Sequence, residues 1–362
     1  MSRATLSALA VGGLCAAGVA VLAVLGEPVM PSYLGAWLLL LALPLGALPV
    51  VMGCELLGVP ETALVAALRR LAAVMPLAAV LAIPVLLRMG ALYPALSAAK
   101  PGLAGWWMTE PAFVVCTVVV LLVWCGLSLV FARPDHGRRI DARRPALAGA
   151  GLALHLVMGT LAALDWAQEV EPAFNSSAFG LTLIAAQCSI AVSMAVLMVV
   201  VGRPEAEASH RLTSGRRDLL ATQHVATALA VLVGAWGFMV FTQYLVVWSA
   251  NLPKEVVWYQ HRAAGIGLAA EYCAAILCAL ALAALLPRAP ARHAGLVAWV
   301  AAALLVLHGG EMLWLVTPAF RAAFTLTVAD VVAAAAAVGL GLGAALLFGE
   351  RIGTGRVGRG AA

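Results

Sequence analysis

The chain has 362 residues, of which 64% are hydrophobic and 11% charged, and its mean hydropathy is +1.02. Soluble domains carry roughly 25% charged residues, so this composition excludes an ordinary soluble fold and points to a polytopic helical membrane protein. The net charge of +5 is not a nucleic-acid footprint, because basic residues in a membrane protein act mainly to orient it.

Ten segments reach the roughly 20 apolar residues that a helix needs to span a bilayer. They are 5–25, 33–54, 71–97, 111–132, 145–165, 178–201, 221–248, 263–286, 294–316 and 327–348. The first has an apolar stretch longer than a signal peptide's and only Arg3 before it, so it is expected to be a retained helix. Pro44, Pro49, Pro76 and Pro84 imply kinked spans that neighbouring helices tolerate. The last span carries Gly339, Gly341 and Gly343, small residues that allow close helix approach. The expected fold is therefore all-α and integral to the membrane: one polytopic domain over 1–349 and a short tail over 350–362.

Alternate loops differ sharply in charge. The N-terminus, 55–70, 133–144, 202–220, 287–293 and the tail hold 17 of the 22 Lys and Arg residues, including Arg133, Arg138, Arg139, Arg143, Arg144, Arg203, Arg211, Arg216 and Arg217. The opposite set holds Lys100, Lys254, Arg262 and Arg321, and Arg88 falls inside a span. The positive-inside rule then puts both termini in the cytoplasm.

Two stretches fall on the external side. One is the acidic loop Asp165, Trp166, Glu169, Glu171, which has no basic residue. The other runs from Gln243 through Tyr244, Trp248, Asn251, Leu252, Pro253, Glu255, Trp258 and Tyr259 to Arg262, mixing amide, aromatic and charged groups. The acidic loop reads either as a solvated loop or as a face that steers a basic partner. The aromatic residues read either as an interfacial belt or as packing against a neighbouring subunit.

Ionisable groups inside spans are costly and mark candidate sites. Here they are Arg88, His155, His224, Glu271, His308, Glu311 and Asp330. His308 and Glu311, spaced i, i+3, share a helix face. With Glu271, Asp330 and Gln243 they could line an outer half-channel for protons, with His224 alone towards the inside. The alternative is that His308 and Glu311 satisfy one another within the bundle. Arg88 can snorkel to the interface, and His155 suits a hydrogen-bonded core position. None of the seven cysteines, Cys15, Cys54, Cys116, Cys125, Cys188, Cys273 and Cys278, forms a C-x-x-C pair, so they read as small packing residues.

Leu164, Asp165, Trp166, Glu171, Pro172, Ser176 and Gly180 together resemble the "DW…EP…S…G" pattern of the ActF membrane subunit of alternative complex III, the bacterial quinol:cytochrome c/HiPIP oxidoreductase. The run from Phe241 to Glu255, with Gln243, Trp248, Asn251, Leu252 and Pro253, is similar to that family's "FsQylLiWYaNLPEEt", and the likeness continues to Trp258, Tyr259 and Arg262. Weaker likeness runs through Gly309, Glu311, Trp314 and Pro318 to Asp330, and the whole covers about 35–348. Family Arg and Asp positions read here as Gly309 and Glu311, and the tail from Glu350 to Ala362 is short beside the soluble extension of longer members.

The resemblance implies two four-helix bundles with peripheral helices, as in NrfD-type polysulfide reductase membrane subunits. It implies a bacterial inner (plasma) membrane complex with NrfD-like, cytochrome c and iron–sulfur subunits, where haem and iron–sulfur centres belong to the partners. This chain would bind no cofactor of its own, and quinol would bind within the complex. A stand-alone proton-coupled transporter is the other reading, and an internal repeat would favour it.

Overall fold

The computed structural model describes residues 1–98, 102, 104–133, 143–201, 215–286 and 293–357, with side chains left undescribed over 104, 215–221 and 352–357. Lys100, Arg138, Arg139, Arg203, Arg211 and most of the basic loops 133–144, 202–220 and 287–293 lie outside the described residues. The described residues are helical almost throughout, and among them ten stretches are long and apolar enough to cross a membrane. It is an all-α integral membrane fold.

The helices are α1 (Arg3–Val24), α2 (Met30–Leu56), α3 (Ala63–Ala72), α4 (Met75–Val80), α5 (Ile83–Leu87), α6 (Met89–Leu92), α7 (Ala104–Trp107), α8 (Glu110–Phe131) and α9 (Arg143–Ala163). Then come α10 (Phe179–Val201), α11 (Gly215–Ala250), α12 (Pro253–Ala263), α13 (Gly267–Leu285), α14 (Ala294–Val316) and α15 (Val328–Val357). Local chemistry sets several starts. Thr62 and Thr109 cap α3 and α8 by accepting from the amides of Val65 and Ala112. At α15, Thr327 and Asp330 form a reciprocal capping box: the Thr327 amide donates to Asp330 Oδ2 at 2.8 Å, and the Asp330 amide donates back to Thr327 Oγ1 at 3.3 Å.

The third span differs most from the sequence reading. It occupies 63–87 rather than 71–97, and is broken into α3, α4 and α5. Hydropathy assigned Arg69 to a loop, yet Arg69 is buried. It is held by Glu55 at 2.5 Å and Glu61 at 3.1 Å, and it donates to the Phe131 carbonyl at 2.6 Å. Pairing removes the cost that a hydropathy window assumes. Pro76 and Pro84, near the starts of α4 and α5, then break the helix. Arg88 sits exposed at the joint of α5 and α6.

Two helices are the most enclosed, α2 and α10. They pack on each other so tightly that a methyl at Gly46 would meet the Gln187 carbonyl at 1.8 Å. Around α2, the segments α3–α4, α8 and α9 form one bundle; around α10, the helices α11, α13 and α14 form a second. The crossing contacts match, since α2 touches α14 while α10 touches α9. Outside both, α15 lies on α2 and α3, and α1 lies on α15.

Glycines make that last contact. A methyl at Gly339 would lie 2.7 Å from the Gly12 Cα, and one at Gly343 2.6 Å from Leu9. Glu350 accepts from the Ser2 amide at 2.8 Å and from the Thr5 hydroxyl at 2.6 Å. The start of α1 and the end of α15 therefore share one face, as the loop charges required.

Candidate functional site

Of the seven intramembrane ionisable candidates, His224, Glu271, His308 and Glu311 belong to helices of the second bundle. On α14, His308 Nδ1 lies 2.7 Å from Glu311 Oε2, and α11 supplies Trp236, whose indole N–H donates to Glu311 Oε1 at 2.8 Å. The Trp236 ring also meets the imidazole edge-on at 4.9 Å between centroids. With both carboxylate oxygens occupied, Glu311 fixes the imidazole with Nδ1 as donor. The Nε2 of His308 is buried and no other protein atom satisfies it. A neutral His308 thus presents a lone pair that can take a proton, and Glu311 is in place to balance the resulting imidazolium.

His155 on α9 has the opposite arrangement. Trp124 donates to its Nδ1 at 3.2 Å, and an indole can only donate, so the proton of the neutral ring sits on Nε2. That nitrogen is buried and unsatisfied too. His155 is a donor where His308 is an acceptor.

The outer end of this bundle is closed by α12. Asn251, with φ of 48°, ends α11 in the left-handed region that asparagine tolerates, and Leu252 and Pro253 lead into α12. The turn brings Arg262 inward, where it is fully buried. Its guanidinium pairs with Glu171, donates to the Leu315 carbonyl at 2.6 Å, and lies 3.7 Å over the Trp258 ring. Trp258 is stacked on Phe174 at 4.2 Å and meets Trp314 edge-on at 5.4 Å. Burial pulls the Arg262 guanidinium down from its ordinary value to about 10, against the opposing pull of Glu171. Glu171 also meets exposed His261 at 2.8 Å, so one carboxylate ties the 169–172 loop to α12.

Gln243 stands beside this pillar. It accepts from Ser176 at 2.8 Å and donates to the Tyr259 hydroxyl at 3.3 Å, while burial raises the Tyr259 phenol to about 12. Glu271, on α13, is partly buried and has one oxygen without a protein partner.

Other sequence candidates fall elsewhere. Asp330 belongs to a separate, saturated network, accepting from Ser32 at 2.7 Å, from both terminal nitrogens of Arg321 at 2.7 and 2.9 Å, and from Thr327. Its role there is to cap α15 and join it to α2. His224 is exposed near the other end of α11. Asp165 borders a small pocket with Glu169, Trp107 and Cys116.

The expected docking surface needs correction. Trp166 and Trp258 are 3% exposed and Arg262 is buried, so these three are core groups of the chain itself. Trp166 lies within a π-helical turn at Leu164–Gln168 that points it inward. There it donates to Thr117 at 3.0 Å, accepts from Tyr93 at 2.9 Å and packs 4.9 Å from Trp37. Glu169 is also buried. Trp248, 67% exposed, and Asn251 remain at the surface.

Sequence reasoning missed Trp236 and Thr317 and gave Trp314 no role beyond the resemblance. Trp236 lies seven residues before Gln243, hence on the same face of α11, and that spacing was a usable signal. Among the described residues, ten buried side-chain polar atoms lack a partner, and five of them line this region: Arg262 Nε, Glu271 Oε1, His308 Nε2, Trp314 Nε1 and Thr317 Oγ1. His308, Glu311, Trp314 and Thr317 recur every third residue over about 14 Å of rise, and since each step turns the side chain about 60° around the axis, His308 and Thr317 leave α14 on opposite sides.

No protein-family model matches this chain, and no curated protein matches it.

Proposed function

We propose that this chain is an ActF-like integral subunit of a quinol-oxidising electron-transfer complex of a bacterial inner membrane, and that its second bundle carries protons between His308 and the outer surface. The observation that supports this reading is the group of buried, unsatisfied polar atoms in the second bundle, at Arg262, Glu271, His308, Trp314 and Thr317. Buried polar groups are normally satisfied, and buried water is the usual partner of those that protein atoms leave open. The groups at the two ends of this bundle are chemically suited to the task. At the inner end, His308 accepts a proton at Nε2 while Glu311 holds the ring and Trp236 holds Glu311. At the outer end, Glu171 and His261 stand at the surface beside Arg262. Electrons would pass through haem and iron–sulfur centres of partner subunits, and quinol would bind within the complex.

The test is Glu311→Gln in the complex isolated from native membranes. Proton release coupled to quinol oxidation should fall about tenfold or more, with assembly preserved. Wild-type turnover and pH response in the variant would refute the relay. Co-purification of multihaem cytochrome and iron–sulfur subunits with the wild-type chain tests the assignment to a complex.

A second reading, a proton-coupled secondary transporter, draws on the matching contacts of the two bundles, where the first helix of each packs on the first and last helices of the other. Purification of the chain without redox partners would favour it.

A further inference from the structure

A cavity of about 290 Å³ opens between the end of α1 and the start of α15, lined by Leu22, Glu27, Pro28, Arg321, Thr327, Val328 and Ala329. It exists because the two helices diverge. Near the termini their backbones are in glycine contact, with a methyl at Gly12 meeting Leu340 at 2.5 Å; further along, one at Gly18 would meet only the Val332 side chain, at 3.2 Å. Beyond that point the gap widens into the cavity, on the face opposite the termini. Its walls are apolar where they descend into the membrane, at Leu22, Val328 and Ala329, and charged at the rim, at Glu27 and Arg321.

Glu27 is positioned by the backbone and Arg321 by its hydrogen bonds. Gly26, with φ of 87°, closes α1 in a left-handed turn, and the Glu27 amide donates to the Leu22 carbonyl at 3.1 Å, which fixes where Glu27 leaves the helix. Arg321 is fixed by Asp330, and its terminal nitrogens are also committed to Thr325, Ser32 and Thr327. Asp330 balances Arg321, so among the described residues Glu27 is the rim charge without an ion-pair partner, and Arg321 Nε–H is the guanidinium donor without a protein acceptor.

We infer that this cavity binds one zwitterionic phospholipid with an ethanolamine headgroup. Its ammonium meets Glu27, its phosphate meets Arg321, and an acyl chain lies in the wedge against Leu22 and Val328. The volume is roughly ten times that of a water molecule, suited to a headgroup. An anionic headgroup without an ammonium would bring its charge against Glu27 with nothing to offset it. The lipid fills the splayed end of the α1–α15 pair and holds α1 to the bundle. None of this depends on proton transfer.

The experiment is native mass spectrometry of the purified full chain given equimolar phosphatidylethanolamine and phosphatidylglycerol with identical acyl chains. The wild type should retain phosphatidylethanolamine in about threefold to fivefold preference, the range of a partly exposed ion pair. Glu27→Gln should abolish the preference and Glu27→Lys should reverse it. Because Glu27 is exposed, both variants should unfold at the wild-type temperature. Equal retention of the two lipids by the wild type, or an unchanged preference in Glu27→Lys, would overturn the assignment.

Discussion

Glu171→Gln tests the outer pillar directly, because it deletes one charge and almost no volume. In the native chain the Arg262 side chain is 1% exposed and Glu171 is its carboxylate partner. Removing one member of a buried ion pair typically costs 3–5 kcal/mol, since the other charge stays buried and unbalanced. Two features reduce the cost here. Glu171 is 18% exposed, and Arg262 keeps the Leu315 carbonyl and the Trp258 ring face, the latter worth about 2 kcal/mol when desolvated. A loss of about 2–3 kcal/mol is expected. Arg262→Met removes the buried charge itself and leaves Glu171 with His261, so it should cost less than Glu171→Gln. The double variant should be more stable than the sum of the single losses by about 1–2 kcal/mol. His261→Ala is the control: its side chain is 53% exposed, and it should cost under about 1 kcal/mol. Reversible unfolding of the detergent-solubilised chain measures all four. If Glu171→Gln costs no more than His261→Ala, the pillar is not a buried ion pair in energetic terms and the reasoning fails.

Three further outcomes follow from other contacts. Gly46→Ala should lower stability by about 3 kcal/mol or more, because its methyl would meet the Gln187 backbone at 1.8 Å and push α2 from α10; an unfolding midpoint within error of wild type would contradict the close approach. Trp124→Phe should cost about 1–2 kcal/mol by leaving His155 Nδ1 unsatisfied, and nitrogen-15 chemical shifts of the His155 ring should show the wild-type proton on Nε2. In an alkaline titration followed by tyrosinate absorbance, Tyr259 should ionise near pH 12. Tyr93, fully buried and close to Asp165 and Glu169, should also ionise above the ordinary phenol range. Since both phenols bind their protons more tightly folded than unfolded, stability should fall as pH rises from about 10. A single tyrosinate transition near pH 10 would refute their burial.

How far the sequence reached depended on the kind of interaction. Nine of the ten spans were legible to within a few residues, because apolar length is a property of the chain itself. The third was misplaced because Arg69 is paid for by Glu55 and Glu61, partners that only folding brings together. His308 and Glu311 were legible as a pair, since i, i+3 spacing on one helix is local. Trp236 was not, because it arrives from α11.

The outer stretch from Gln243 to Arg262 shows the same division. Its composition identified an interfacial segment, but a belt of aromatics and a packed core have the same letters. The left-handed turn at Asn251 and the π-helical turn at 164–168 decided the matter, sending Trp166, Trp258 and Arg262 inward and leaving Trp248 outside. Asp330 was read as a member of the half-channel by depth alone, and tertiary contacts with Arg321 and Ser32 place it in a different network. Hydrophobicity and charge are additive along the chain, so the sequence by itself determined that the protein is a ten-span membrane helix bundle with its termini on one face. Which polar groups meet depends on side-chain direction and on which helices adjoin, and these were decided only by the packing of α10, α11, α13 and α14 around the His308–Glu311 pair.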